Sequence, residues 1–397
     1  SIIDREALKR GNSTYFPDKV IPMLPEILSN GLCSLKENSP KKAVVVKMHL
    51  DYKGYKIKHE FIRGIITVKK NYSYENFEAY LSDCETKKKY SGYKRAFNIL
   101  KQSPHLNNRL NLNFAEKKIS ISSEGYPTNV FEKNSLRSNE LIEMMMILAN
   151  LCVSQALSQS ITKYLSRYHE TPDKHALKDL NIFMSLHDLA TIKEKQVTSN
   201  TFNELLKHCK YPEKKKLLSN AVLKILPKAK YSDVEAGHFG LNLPLYCHFT
   251  SPIRRYADLT VHRSLAFALK WEMDDLDFME DHKAICKIIN ESEKKTVGAE
   301  RESLDRYSAL FMSNQIDGYF DGIVSGASKF CIFVKLKKFP IEGVLLKSNL
   351  DFKQRKRRSS FNYGKSKTRD KGLSTGDELR VKLASATPYN GSITFSL

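Results

Sequence analysis

The chain has 397 residues, with 65 lysines and arginines against 44 aspartates and glutamates, so its formal net charge is +21. This length can bury a large core and predicts more than one domain. The cationic excess favours a polyanionic partner, with nucleic acid first and an anionic membrane surface second. A general enrichment of lysine in the source proteome is the alternative explanation.

The seven cysteines are scattered, and none forms a Cys-x-x-Cys pair. This pattern favours neither a zinc site nor a disulfide framework, and it suits a reducing, cytoplasmic location. The longest apolar stretch, at 141–151, is too short and too mixed to span a bilayer, so we expect no membrane association.

Apolar spacing separates strands from helices along the first three quarters of the chain. The helix at 138–163 has the strongest pattern, and Asn139 is its predicted cap. The predicted elements, in chain order, are a loop, strands at 43–50 and 55–66, helices within 74–118, a strand at 119–121, and helices at 138–163, within 174–227, at 252–271 and at 278–313.

The composition changes near residue 315, where the chain becomes rich in β-branched residues punctuated by glycine. Five short strands within about eighty residues predict a small closed barrel of the oligonucleotide-binding type. The predicted strands lie at 319–324, 330–336, 343–346, 378–383 and 392–397. Between them, 353–371 is a dense run of lysine and arginine that we expect to be flexible.

Residues 248–259 read HFTSPIRRYADL and continue to an arginine at 263. Because proline fixes its own φ and pushes the preceding residue away from the α region, Ser251 is a plausible N-cap with Pro252 at the first helical position. Thr250, Ser251 and Arg254 would then converge on the free N–H groups of a helix start. Such an arrangement predicts an anion site, with phosphate as the obvious anion.

This run resembles the signature of the RNB family of ribonucleases, the ribonuclease II and ribonuclease R group, with the bacterial ribonuclease R branch nearest. Three further matches in the same order extend the resemblance over nearly the whole chain. They are RGNSTYFP at 10–17 followed by IPMLPE and LSNGLCSL at 21–35, Glu143 with LAN at 148–150, and GHFGL at 237–241.

The resemblance implies an α+β fold in two domains. Residues 1–314 would form an RNB catalytic domain, a mixed sheet with helices that is incomplete at its N-terminus. Residues 315–397 would form a barrel similar to the S1-type RNA-binding domain, interrupted by the basic insert at 353–371. Cys331 and Leu346 depart from that pattern, where glycine and histidine are common.

The resemblance also implies a 3′-to-5′ exoribonuclease that releases nucleoside 5′-monophosphates with two Mg²⁺ ions held by clustered aspartates. The aspartate motif is expected upstream of Ser1, so we expect an N-terminally truncated fragment that binds RNA and cleaves it poorly. Asp4 is expected to be structural. The single-stranded 3′ end of RNA is the expected partner of a monomer, with ribosomes or an RNA helicase as further candidate partners.

The resemblance implies that Arg254 is the catalytic residue, and the chemistry agrees, because a planar guanidinium can grip two phosphoryl oxygens. An ion pair with Asp258 at i,i+4 is the alternative. Histidines 248 and 262 are expected to orient or pack rather than act as bases. The resemblance implies further RNA contacts, each weighed against ordinary packing or a solvated charge: Tyr15, Glu143, Asn150, Arg255, Arg263, Glu300, Phe330 and Phe333.

A non-catalytic RNA-binding relative that has lost its metal site is the competing class of protein. A basic scaffold that contacts ribosomes through the barrel is a third hypothesis.

Overall fold

The computed structural model describes residues 1–83, 91–112, 114–160, 162–192, 197–271, 281–349, 373 and 375–397. These residues divide into two compact units, and neither is continuous in sequence. The first comprises Ser1–Ser13, Pro22–Asn113 and Ser135–Thr296, and the second comprises Thr14–Ile21, Phe114–Asn134 and Val297–Leu397. The predicted basic insert at 353–371 lies outside the described residues.

The first unit is mainly helical, with strands that pair two by two. Its helices are α1 (Ile2–Arg10), α2 (Tyr74–Asp83), α3 (Ser91–Gln102), α4 (Pro104–Asn107), α5 (Arg137–Ser158), α6 (Lys174–Leu186), α7 (Ser199–His208), α8 (Pro212–Ile225), α9 (Tyr256–Ala268) and the first half of α10 (His282–Ser313). Its named strands are β3 (Pro40–Leu50), β4 (Lys56–Thr67), β7 (Ser166–Tyr168) and β8 (Lys230–Ser232).

The hairpin of β3 and β4 confirms the two strands predicted for this part of the chain. The strands are antiparallel, with Ala43 opposite Gly64. In the turn, the Asp51 carboxylate accepts hydrogen bonds from the N–H groups of Lys53 and Tyr55 at 2.9 and 2.8 Å. Within the described part of this unit the sheets are antiparallel pairs, β3 with β4 and β7 with β8, so the strands of a larger mixed sheet are not among these residues.

Helix α5 forms the centre of the first unit, and its inward face from Leu141 to Leu157 is mainly apolar, with Asn150 and Ser154 as buried polar residues. It begins at Arg137, so Asn139 is not the N-cap residue itself, but its side chain takes part in capping the helix start, as predicted. Asn139 lies inside the first turn and accepts from the N–H of Leu136, while Glu78 of α2 accepts from the N–H of Ser138. Among the described helices, α5 alone is long and apolar enough to cross a membrane, but most of its apolar stretch is buried as in a core helix.

The second unit is built around a closed barrel. Its strands are β9 (Tyr319–Ala327), β10 (Cys331–Leu336), β11 (Glu342–Leu346), β12 (Glu378–Thr387) and β13 (Ser392–Ser396), in the order β10-β11-β13-β12-β9. The predicted barrel is therefore confirmed. Glycine is required at 343, where a Cβ atom would lie 2.5 Å from the ring of Phe395 in the barrel core.

The second unit also contains two hairpins and the second half of α10. The hairpins are β1 (Thr14–Tyr15) with β2 (Val20–Ile21) and β5 (Glu116–Ile121) with β6 (Pro127–Lys133). Val130 of β6 and both Ala309 and Met312 of α10 share one buried cluster with the barrel core. The unit therefore begins well before residue 315, unlike the single boundary predicted there, because these segments bury their apolar side chains against the barrel.

Candidate active site

The run 248–263 forms a tight turn followed by a helix, not a helix capped at Ser251. Helix α9 begins at Tyr256, and Arg255 before it has extended backbone with φ −138° and ψ 125°. The carbonyl of Ser251 accepts from the N–H groups of Arg254 and Arg255 at 3.2 and 3.1 Å. The predicted cap was wrong because the Asp258 carboxylate reaches back to the N–H of Ser251 at 2.7 Å and holds residues 251–255 as a turn.

Backbone hydrogen bonds join the turn at 251–255 to the RGNSTYFP segment at 10–17. The N–H of Tyr256 donates to the carbonyl of Gly11 at 2.8 Å, and the N–H of Ser13 donates to the carbonyl of Arg254 at 3.0 Å. Gly11 has a φ of +69°, and a Cβ atom there would lie 2.7 Å from the side chain of Ser292. Two motifs that lie far apart in sequence are therefore joined by backbone hydrogen bonds next to Arg254.

Asn150 of α5 holds the other end of the run. Its side chain is 2% exposed, and its Oδ1 accepts from the N–H groups of Phe249 and Thr250 at 2.9 and 3.2 Å. Its Nδ2 donates to the hydroxyl of Tyr246 at 2.9 Å. All of the amide's polar atoms are thus engaged inside the protein, so the structure gives Asn150 a role in ordering the loop and leaves no surface for the predicted RNA contact.

Three arginines surround His248, and two of them are neutralised. Arg167 makes a two-pronged ion pair with Glu293, with N–O distances of 2.8 and 2.9 Å. Arg255 pairs with the fully buried carboxylate of Asp258, with 2.8 Å between Nε and Oδ2. Because Asp258 pairs with Arg255, the alternative that it serves as the ion-pair partner of Arg254 was wrong.

Arg254 is exposed, and within the described part of the chain its guanidinium has no carboxylate or hydrogen-bond partner. A guanidinium keeps its charge at any physiological pH and presents a fork of donors that matches phosphate. Arg254 is therefore the group in this cluster that can bind an anion. Its backbone is fixed on both sides, so the side chain is anchored at the point where it leaves the turn.

The surroundings of His248 favour its neutral form. The hydroxyl of Tyr231 and Nδ1 of His248 lie 2.9 Å apart. Burial lowers the pKa of His248 well below its usual value, and the adjacent arginines, Arg255 foremost, lower it further. A neutral imidazole in this position fits the predicted role in orientation.

Arg263 lies in a second ion pair, with Asp4. Its guanidinium contacts the Asp4 carboxylate, and it also donates to the hydroxyl of Tyr256 at 3.1 Å. Tyr256 in turn donates to Asp4 at 3.1 Å. The three side chains join α1 to α9, so Asp4 and Arg263 serve the fold here, and Arg263 contacts carboxylate where an RNA contact was predicted.

The structure does not bring Glu143 together with Asn150. Both lie on α5, but Glu143 is exposed near the start of the helix and Asn150 is buried two turns later. Their spacing of seven residues predicted that they share a face of the helix, but along α5 that face is exposed at Glu143 and buried at Asn150. Glu143 therefore stays a predicted RNA contact on its own.

Tyr15 and Glu300, predicted separately, lie together in the second unit. The N–H of Tyr15 donates to the Glu300 carboxylate at 2.7 Å. The Tyr15 ring is 47% exposed, which leaves a face open for stacking. Glu300 is therefore more than a solvated helix charge, because it fixes the backbone that carries the ring.

The two aromatic residues of the barrel that were predicted to contact RNA, Phe330 and Phe333, lie outside its buried core. Ile332 and Val334 point inward, so Phe333 between them faces the other way and is half-buried. Phe330 is 72% exposed, with Nζ of Lys329 5.5 Å from its ring centre. Both rings suit stacking on bases. The alternative that the ring only packs in the protein fits Phe330 least, because Phe330 is the more exposed of the two.

The described residues do not fit the two-metal centre that the resemblance implies. In these parts of the chain, no group of three or more histidine, cysteine, aspartate or glutamate side chains is placed to hold a metal ion. What they supply is an exposed arginine, Arg254, and the exposed side chains of Tyr15 and Phe330.

The sequence did not reveal which carboxylates pair with the arginines around His248, namely Glu293 and Asp258. Arg167 and Glu293 are 126 residues apart, and no local pattern links them. The pairing of Arg255 with Asp258 at i,i+3 was available as a signal, but the predicted helix start favoured the i,i+4 pair with Arg254.

The buried histidines predict a loss of stability in acid. Burial lowers the pKa of His238 to about 3, with help from His169 and Arg167. Between pH 6.5 and about 3 the unfolded chain binds a proton at this site that the folded chain does not, so the free energy of unfolding should fall by up to about 1.4 kcal/mol per pH unit for each such group.

His238→Asn should reduce that slope, because an amide oxygen can replace Nδ1 as acceptor for the N–H of Leu241 but cannot titrate. Urea unfolding at pH 7.5, 6.0 and 5.0 measures the effect. A slope equal to that of the unsubstituted protein would show that His238 is already charged in the folded state.

The described residues combine a mainly helical unit, which carries the exposed Arg254, with a closed five-stranded barrel of the oligonucleotide-binding type. A family model described as the RNB domain matches residues 1–270. The chain belongs to the RNB family.

Among curated relatives, ribonuclease R of Thermotoga maritima is 29% identical over 411 residues, which covers 100% of this chain and 58% of the relative. Ribonuclease R of Aquifex aeolicus is 30% identical over 354 residues, covering 86% and 50%. The chain thus spans about half the length of these relatives. Among solved structures, the apo form of Mycoplasma genitalium RNase R matches with a TM-score of 0.90 and 26% identity, covering 100% of this chain and 64% of that one.

Proposed function

We propose that this chain is the RNA-gripping part of a 3′-to-5′ exoribonuclease of the ribonuclease R type. The full protein would hydrolyse single-stranded RNA to nucleoside 5′-monophosphates in the cytoplasm. The observation that carries the proposal is Arg254, an exposed arginine without a carboxylate partner in the described structure, anchored beside two arginines that are neutralised. RNase R of Mycoplasma genitalium has been solved in complex with ribose methylated single-stranded RNA and with double-stranded RNA, which supports RNA as the ligand.

Each predicted contact has a defined task in this proposal. Arg254 holds the phosphoryl oxygens of the bond to be cleaved and stabilises the charge that develops on them. Tyr15 stacks on a base near the 3′ end, while the barrel aromatics and nearby lysines hold upstream RNA. Contacts to phosphate, ribose and base faces do not read base edges, so cleavage should be independent of sequence.

Mg²⁺ is part of the proposal for the complete protein. When bound, the two ions would activate water and neutralise charge on the scissile phosphate. The described residues of this chain do not provide their ligands, so we expect the chain alone to bind RNA and to release little or no mononucleotide.

The test compares this chain with the full-length protein on a 5′-labelled single-stranded RNA, with Mg²⁺ and with EDTA. The proposal expects RNA binding by both proteins and Mg²⁺-dependent mononucleotide release by the full-length protein. Binding without cleavage by the full-length protein would instead support a non-catalytic RNA-binding relative. Absence of RNA binding by both proteins would contradict both hypotheses.

Tyr15→Ala in the full-length protein should change the length of the shortest RNA that accumulates at the end of digestion. Loss of one stacking contact weakens the grip on short RNA by about 1–3 kcal/mol, so longer remnants should escape. Denaturing gels of a digested labelled RNA measure the product length.

Tyr15→Phe is the matched control, because it keeps the stacking face and should keep the product length. A product ladder that is unchanged in Tyr15→Ala would reduce Tyr15 to a packing residue.

A further inference from the structure

We propose that Asn150 is a positioning residue that acts on RNA hydrolysis through Arg254. The proposal rests on the function proposed above. It assigns to a buried amide on the core helix the task of fixing the loop that carries the phosphate clamp.

The contacts of Asn150 all converge on one short stretch of chain. Its Oδ1 accepts two consecutive backbone N–H groups, those of Phe249 and Thr250, and its own carbonyl accepts from the thiol of Cys247 at 3.5 Å. Its Nδ2 donates to Tyr246. One side chain with its backbone therefore binds residues 246, 247, 249 and 250, immediately before the turn.

A second buried group continues this series. The next backbone N–H, that of Ser251, donates to the Asp258 carboxylate at 2.7 Å, and the same carboxylate oxygen accepts from Nη2 of Arg255 at 2.8 Å. Three successive N–H groups are thus held by two buried side chains. The turn at 251–255 starts from a fixed point, and Arg254 leaves it in a defined direction.

Removal of Asn150 should release one end of this turn without changing any group that touches RNA. The N–H groups of Phe249 and Thr250 would lose their acceptor, and buried donors without partners favour a local rearrangement of the backbone. A displacement of about 1 Å at a catalytic group can reduce turnover about 100-fold. Affinity for RNA, which depends on many phosphate and stacking contacts, should change much less.

The experiment is a double-mutant cycle in the full-length protein with Asn150→Ala, Arg254→Ala and the double variant, reading kcat and RNA Kd separately. We expect Asn150→Ala to lower kcat about 10- to 100-fold with a small change in Kd, and to have almost no further effect once Arg254 is absent. An equal loss of kcat in both backgrounds would overturn the proposal, because Asn150 would then act independently of Arg254.

Ser154→Ala is the matched control. Ser154 is buried on the same helix one turn further on, and its hydroxyl contacts only the carbonyl of Leu151 among the described residues. We expect this variant to keep kcat. A loss of kcat equal to that of Asn150→Ala would show that any buried polar change in α5 has the effect, and the positioning role would fall.

Hydrogen exchange separates failure of this inference from failure of the proposed function. The amides of Phe249, Thr250 and Ser251 should exchange faster in Asn150→Ala, while amides in the rest of α5 keep their protection. Unchanged exchange at 249–251 would overturn the positioning role whether or not the protein cleaves RNA. Faster exchange in a full-length protein that does not cleave RNA would contradict the proposed function and leave the structural contact intact.

Discussion

Replacement of Arg254 by alanine in the full-length protein is expected to lower kcat for RNA hydrolysis about 100- to 1,000-fold, the usual cost of removing one group that stabilises developing charge. RNA Kd should change far less, because stacking and many other phosphate contacts remain. Single-turnover cleavage and equilibrium binding, measured on the same labelled RNA, separate the two quantities. An equal loss in kcat and in affinity would place Arg254 among ordinary binding groups.

Two further variants sharpen this result. Arg254→Lys keeps the charge but loses the planar fork, so it should recover only part of the lost kcat. Arg95→Ala removes an exposed arginine from α3 and lowers the net charge by the same amount. If Arg95→Ala lowered kcat as much as Arg254→Ala, the effect would belong to overall charge and not to a clamp at this position.

Replacement of Asp258 by alanine is expected to cost about 3–5 kcal/mol of unfolding free energy, because it leaves the largely buried guanidinium of Arg255 without its partner. The N–H of Ser251 also loses its acceptor. Small domains are stable by only about 5–15 kcal/mol, so this single change removes a large fraction of the total. Urea unfolding followed by circular dichroism measures it.

The double variant Asp258→Ala/Arg255→Met makes this prediction testable even if the single variant folds poorly. Removal of both charges should recover much of the lost stability, because an apolar side chain no longer needs a counter-ion. A double variant as unstable as Asp258→Ala would contradict the ion-pair explanation. Glu60→Ala is the control, since its pair with Lys47 is exposed and exposed pairs contribute little.

Much of the fold could be predicted from local sequence. The barrel strands follow from alternation of apolar residues between glycines, and the β3–β4 hairpin follows from two β-branched runs around Gly54. Helix starts were harder to predict, because they depend on partners from elsewhere in the chain. At α9, the Asp258 carboxylate accepts from the N–H of Ser251 and the Gly11 carbonyl accepts from the N–H of Tyr256. Because of these contacts the helix begins at Tyr256 and not at the predicted Pro252.

The candidate site, too, could be predicted only in part from local sequence. The residue types of the signature run predict an anion site, and the family resemblance marks Arg254 as its strongest candidate. Local spacing could not decide which of the neighbouring arginines is available. That depends on Glu293 and Asp258, which neutralise Arg167 and Arg255 in the folded chain.

The sequence by itself determined the family, the barrel and the presence of a cationic motif, because these depend on residue order and on apolar periods within short windows. Only the tertiary structure decided that Asn150 orders a loop, that Arg263 pairs with Asp4, and that Tyr15 is held by Glu300. The physical reason is that a buried polar group must find its partner wherever the fold places one, and that partner is seldom a neighbour in sequence.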